Sequence, residues 1–172
     1  MIERAPHMMP GLSDELATVL EDRMTECGVH VYSQQGIKEI QSKDDSSLEV
    51  VCDNGSSFPC DMVLLSVGVK PNSALAKDAG LQLGVKDCVV VNEKLQTSDP
   101  DIYAVGDVIE VNDYVTGQKR HVPLAGPANR QGRVVADVLC DLPSSFRGSQ
   151  GTSVCGMFDV CVAMTGHTPR SL

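Results

Sequence analysis

Apolar and polar positions change period several times along the chain, and each change predicts an element. After the turn-rich residues Pro6 to Gly11, Leu16, Val19, Leu20, Met24 and Cys27 recur at helical spacing, which predicts a helix with one packed face. Ser13 stands at its N-cap, Asp14 and Glu15 occupy the positive end of its dipole, and Gly28 supplies the stop. Val29 to Tyr32 reads as a short strand. Ile37 to Gln41 and Leu48 to Cys52 predict two antiparallel strands, joined by the polar turn Ser42 to Ser47 and followed by the turn Asp53-Asn54-Gly55.

From Cys60 to Ser66 the apolar positions are continuous, the pattern of a buried strand, which runs into the loop Val67 to Asn72. Ala74 to Ala79 predicts a short helix stopped by Gly80, Val89 to Val91 a strand, and Ile102 to Val105 a short buried strand ending at Gly106-Asp107. Residues 108–120 read as a surface loop or hairpin with a Thr116-Gly117 tip. A helix is predicted from Pro127 or Ala128 to about Leu139, with Val134, Val135 and Val138 as its buried face. Thr152 to Met164 has the pattern of a strand pair from another domain. Strands ending in loops between helices predict an α/β fold, whose ligands bind where strands stop.

Composition narrows this picture. The chain of 172 residues is 42% hydrophobic and 22% charged, values of an ordinary globular chain that exclude collagen-like and disordered classes. Aromatics are only 3% and Trp is absent, so the core must be aliphatic. A net charge of −9 excludes a general nucleic-acid binder. Residues 1–116 hold 20 acids and 8 bases, whereas 117–172 hold 3 acids and 6 bases, a balance that reads first as a solvated acidic face and otherwise as an anionic ligand or a different partner surface for the second part. Apolar runs such as Met62 to Leu65 are too short to span a membrane, and no signal-peptide pattern opens the chain. A soluble, cytoplasmic protein is expected. Seven Cys lie without CxxC or zinc-type spacing and four His are scattered, so buried reduced thiols and no metal site are expected.

The most specific motif is Thr97-Ser98-Asp99-Pro100-Asp101-Ile102-Tyr103-Ala104-Val105-Gly106-Asp107. Gly106 allows close backbone approach to a ligand, and the Asp107 carboxylate can accept hydrogen bonds from sugar-type hydroxyls. The string resembles the second flavin-binding motif of the FAD-dependent pyridine nucleotide-disulfide oxidoreductases. The resemblance implies that Gly106 and Asp107 hold the ribityl chain of FAD. Val122-Pro123-Leu124-Ala125-Gly126-Pro127-Ala128-Asn129-Arg130-Gln131-Gly132-Arg133 is similar to the segment that follows in the CoA-disulfide reductase and NADH oxidase branch. There a helix N-terminus points at the flavin, which implies FAD contacts for Pro123, Leu124, Ala125, Gly126 and Ala128. For Arg130 and Arg133 a surface or interface role and a flavin contact both stay open.

Ser66 to Asn72 resembles the family's connection from the NAD(P)-binding to the FAD-binding domain, which implies that Gly68 lies near the nicotinamide. Glu3 resembles the acid that accepts the adenosine ribose hydroxyls, and an acid there favours NADH. The resemblance further implies an incomplete Rossmann-like FAD/NAD(P)-binding fold with a small antiparallel β-meander. Residues 1–70 would be the C-terminal part of the NAD(P)-binding domain and 71–143 that of the FAD-binding domain. Residues 144–172 would begin a C-terminal interface domain. Electrons would pass from NAD(P)H through FAD to a disulfide such as CoA-disulfide, or to oxygen or peroxide, in a homodimeric full-length enzyme. The chain contains no G-x-G-x-x-G and none of its Cys stands in the family's redox context, so no catalytic residue is assigned. A non-catalytic, truncated remnant is the competing expectation.

Overall fold

The computed structural model describes residues 1–43 and 47–168, which form two compact units. The first comprises residues 1–67, 155–162 and the described end of the chain, and the second residues 68–154 and 163–166.

In the first unit, helix α1 (Asp14–Glu26) begins after Ser13, whose side chain makes no capping bond. Its packed face is Ala17, Leu20 and Met24, each at most 1% exposed. Leu16 and Val19, expected on that face, point to solvent. Spacings of three and four fit both stripes, so periodicity alone does not choose between them. Strands β1 (Ile37–Ser42), β2 (Leu48–Cys52) and β3 (Ser57–Cys60) form an antiparallel meander in that order. The first two were expected; the turn at Asp53 to Gly55 leads into the third. The connection between β1 and β2 lies partly outside the described residues. Val50 and Cys52 are buried on β2, and Tyr32 packs against Phe58 with ring centroids 4.4 Å apart and the ring planes tilted by 46°.

Two strand expectations fail here. Val29 to Tyr32 makes only one parallel bridge, Ile2 with Tyr32. The run expected as a buried strand from Cys60 to Ser66 has no ladder beyond β3, and Met62, Leu64 and Val67 are 80%, 88% and 84% exposed. A continuous apolar run forms a buried parallel strand only when neighbours cover both faces, and among the described residues this run has none. Leu65 and Met62 instead line an open cavity of about 730 Å³ with Glu3, Tyr32, Val50 and Phe58.

The second unit is built around Val89, Leu95, Ile109, Val111, Val122, Val134 and Phe146. Helix α2 (Ala74–Asp78) is short and contributes no buried residue. The expected strands at 89–91 and 102–105 are isolated bridges, Val89 antiparallel to Leu83 and parallel to Ile109, and Gln96 antiparallel to Tyr103. Leu95 has a φ of 65° yet is fully buried. Left-handed backbone costs a non-glycine residue about 1–2 kcal/mol, and burying a Leu side chain offsets it with about 1.5–3 kcal/mol. Strands β4 (Glu110–Asn112) and β5 (Lys119–His121) form the expected hairpin, but it is no mere surface excursion, because Asp113 is buried inside it.

Helix α3 (Ala125–Leu139) starts earlier than expected, placing Pro127 within its first turn, where a missing N–H costs nothing. Gln131 and Val134 are its buried residues, and Val135 and Val138 pack beside them. Strands β6 (Ser153–Met157) and β7 (Val160–Met164) pair as the expected hairpin. The cysteines correct the sequence reading: only Cys52 and Cys88 are buried, Cys60 is half-buried, and Cys27, Cys140, Cys155 and Cys161 are exposed. These four lie at helix ends or on the outer face of the last hairpin, where an apolar neighbourhood in sequence is not one in space.

Candidate functional site

The Gly106-Asp107 turn is anchored first by backbone. Val105 is extended, Gly106 turns with φ 82°, and the Ile109 N–H donates to the Gly106 carbonyl at 3.3 Å. Immediately after the turn the chain joins the core, with the Val89 N–H donating to Val108 O at 2.9 Å and the Glu110 N–H to Val89 O at 3.1 Å. A left-handed φ is open to glycine without steric cost, which is why this residue type stands at this bend.

Two side chains then hold the turn from outside. The Gly106 N–H donates to Gln131 Oε1 at 2.7 Å, from the buried face of α3. His121 Nε2, on β5, lies 2.8 Å from the Asp107 carbonyl oxygen; that oxygen can only accept, so Nε2 carries the hydrogen. The β4–β5 hairpin that carries His121 is itself braced. Asp113 Oδ1 accepts the N–H groups of Val115 and Thr116 at 2.8 and 2.9 Å, and Arg120 Nη1 donates to its Oδ2. Glu110, paired across the ladder with His121, is also buried; it accepts the Val85 N–H at 3.1 Å and lies 3.5 Å from Lys119 Nζ. Burial pushes the nearby Cys88 thiol up from its ordinary range, and the Glu110 carboxylate adds to the effect.

These braces leave the functional groups open. Asp107 is exposed, and its carboxylate has no hydrogen-bond or ion-pair partner among the described residues. Helix α3 follows the extended residue Leu124 with no side-chain cap, Pro127 has no N–H, and the Ala128 N–H is taken by Leu124 O at 3.2 Å. The N–H groups of Ala125 and Gly126 therefore remain at a positive helix end. A Cβ built on Gly106 would lie 3.9 Å from that of Ala128, so turn and helix N-terminus are in near contact. Gly106, Asp107, Leu124, Ala125, Gly126 and Ala128 thus come together as one patch, with Pro123 half-buried before the helix.

An open cavity of about 610 Å³ flanks this helix end, lined by Tyr114, Gly126, Pro127, Arg130, Phe146 and Ser149 among others. Arg130 and Arg133 are exposed. The sequence reading missed Tyr114, Phe146 and Ser149, which lie outside both motifs. It also missed Gln131 and His121, since a polar residue within an amphipathic pattern reads as solvent-facing.

Glu3 belongs to the first unit, where its N–H donates to Tyr32 O at 2.9 Å and its Oε1 accepts the Ala5 N–H at 2.7 Å. It is half-buried and lines the cavity of that unit. Gly68 opens the second unit with φ 93°, exposed and with open space where a side chain would stand. Among the described residues no cluster of His, Cys, Asp and Glu could hold a metal ion, and no helix is long and apolar enough to cross a membrane.

Comparison with known proteins agrees with the motifs. An NADH oxidase of Methanocaldococcus jannaschii is 35% identical over 172 residues, 99% of this chain and 38% of that protein. A CoA-dependent NAD(P)H sulfur oxidoreductase of Pyrococcus abyssi is 34% identical over 154 residues, 90% of this chain and 34% of that protein. The crystal structure of a FAD-dependent pyridine nucleotide-disulphide oxidoreductase from Desulfovibrio vulgaris superposes with a TM-score of 0.92 at 32% identity, covering 99% of this chain and 43% of that one. The chain therefore spans little more than a third of the length of the curated relatives it matches. The model of the pyridine nucleotide-disulphide oxidoreductase family matches residues 1–132, and with the Gly106-Asp107 turn set against an uncapped helix, the chain belongs to that family.

Proposed function

We propose that this chain carries part of the FAD- and NAD(P)H-binding framework of a flavoprotein oxidoreductase. Electrons would pass from NAD(P)H through FAD to a disulfide such as CoA-disulfide, or to oxygen or peroxide, with a homodimer as the full-length form. The observation that carries the reading is the patch in the second unit, where the open Asp107 carboxylate and the free N–H groups of Ala125 and Gly126 flank one braced turn. These groups fit a flavin in kind. A carboxylate accepts from the hydroxyls of a ribityl chain, and a positive helix end favours the negative charge that a pyrimidine edge gains on reduction.

When bound, the flavin supplies hydride acceptance and onward electron transfer. The chain supplies binding and electrostatics: Asp107 takes ribityl hydroxyls, Gly106 lets the backbone approach, and residues Pro123 to Ala128 bound the pyrimidine side. Glu3, with Oε1 already accepting the Ala5 N–H, would offer its other oxygen to an adenosine ribose, and Gly68 would leave room beside the nicotinamide. Residues 1–70 would belong to the NAD(P) domain, 71–143 to the FAD domain and 144–172 to an interface domain.

The test is a titration of the ¹⁵N-labelled chain with FAD up to millimolar concentration. Shifts concentrated at Gly106, Asp107, Ala125, Gly126 and Ala128 that weaken in Asp107→Ala support the reading. Absence of such shifts, or shifts unaffected by Asp107→Ala, refutes it.

A further inference from the structure

Gln131 stands out because it is a carboxamide at 1% exposure on the packed face of α3, among Val134 and the other aliphatic residues of the core. An amide in such a place costs about 1–3 kcal/mol unless it is bonded. Its Oε1 accepts the Gly106 N–H at 2.7 Å, short for an N–H donor. The donor has no other acceptor among the described residues, because Val105 and Gly106 lie in no ladder and the Ile109 bond uses the Gly106 carbonyl instead. The bond links residues 25 apart in sequence. On the far side of the same turn His121 Nε2 holds the Asp107 carbonyl at 2.8 Å. The Gly106 N–H, the Gly106 carbonyl and the Asp107 carbonyl are thereby all engaged, while the Asp107 side chain is left open.

Resting on the flavin reading above, we propose that Gln131 is a positioning residue: through Gly106 it fixes the direction in which Asp107 presents its carboxylate to the ribityl chain. The chemistry sets the residue type. Gly106 offers a donor, so the side chain must offer an acceptor of Gln or Glu length; Leu or Met would fill the space and leave the N–H unpaired. Without the acceptor the turn samples other orientations, and apparent flavin affinity falls with the fraction of molecules in the competent one.

The experiment compares the parent chain with Gln131→Met, Gln131→Glu and Val134→Ala by amide hydrogen exchange without flavin and by the FAD titration. Gln131→Met is expected to speed exchange at Gly106 about tenfold relative to other amides of its unit, and to weaken FAD binding by about the same factor. Gln131→Glu restores both, since a carboxyl of the same length still accepts. Val134→Ala, a core loss on the same helix face, leaves the relative protection of Gly106 unchanged. Equal exchange at Gly106 in Gln131→Met, unaltered FAD affinity, or a loss that Glu does not restore while Val134→Ala copies it, overturns the proposal and leaves the flavin reading standing. A parent chain that shows no FAD-induced shift overturns the flavin reading and this proposal with it.

Discussion

Replacing Gly106 by Ala separates backbone strain from crowding at the turn. The added methyl has room, because its nearest neighbour is the Ala128 methyl at 3.9 Å, an ordinary contact distance. The φ of 82° is another matter: left-handed backbone costs an L-residue about 1–2 kcal/mol. Against this, Ala lowers the entropy of the unfolded chain and returns about 0.4–1 kcal/mol. The difference is a loss of roughly 0–1.6 kcal/mol, centred near 0.8 kcal/mol, which for a urea dependence near 2 kcal/mol/M moves the midpoint down by at most about 0.8 M. Urea unfolding followed at amides of the second unit measures it. A gain in stability would mean that the turn relaxes to φ below zero without consequence. A loss above about 3 kcal/mol would mean that the methyl meets a packed wall, and either result refutes the reasoning.

Thiol labelling of the native chain with an aromatic disulfide reagent at pH 8 is expected to modify Cys27, Cys140, Cys155 and Cys161 quickly, and Cys52 and Cys88 only after unfolding, Cys88 doubly protected by burial and a raised thiol range; rapid labelling of Cys88 would contradict the packing of its core. The Asp159 and Glu49 carboxyls are held below their ordinary range by the Arg23 guanidinium and the Lys43 ammonium, so both contribute stability above the unfolded carboxylate range, near pH 4, which is lost as pH falls through the lower folded values. Arg23→Ala should therefore flatten the acid limb of stability against pH, and an unchanged limb would show that the pair contributes nothing measurable. In a flavin-loaded hybrid enzyme carrying this chain, Ala125→Asp is expected to lower the flavin midpoint potential, since like charges a few Å apart at an effective dielectric near 20 repel by roughly 2–4 kcal/mol; an unchanged or raised potential in a potentiometric titration would mean that α3 does not face the flavin.

Some of this architecture could be read from residue order and some could not. The Gly106-Asp107 step and the presence of α3 were legible because each rests on local chemistry, a glycine at a bend and a proline in a first turn, although the helix begins two residues before that proline. The β1–β2 pair was legible for the same reason, its two runs being separated by a polar turn. Failures came where identity depends on what lies across space. Met62 to Leu65 is as apolar as any buried strand, but burial is a property of neighbours, and here the run is exposed. The stripe Leu16 and Val19 satisfied helical spacing as well as Ala17, Leu20 and Met24, and only packing distinguishes them. Gln131, Asp113 and Glu110 are polar residues whose burial follows from partners 25, 7 and 9 residues away, Gly106, Arg120 and Lys119. Periodicity carries no signal for such bonds.

The most direct test of the central claim is flavin capture in a hybrid. The part of the Desulfovibrio vulgaris FAD-dependent enzyme that this chain matches, 43% of it, would be replaced by these residues, and the flavin absorbance of the purified, folded protein would be measured against polypeptide. The account predicts about one flavin per polypeptide, with retention weakened in Asp107→Ala as charge-assisted bonds of about 1.5–3 kcal/mol each are lost. A hybrid that folds and remains colourless would contradict it.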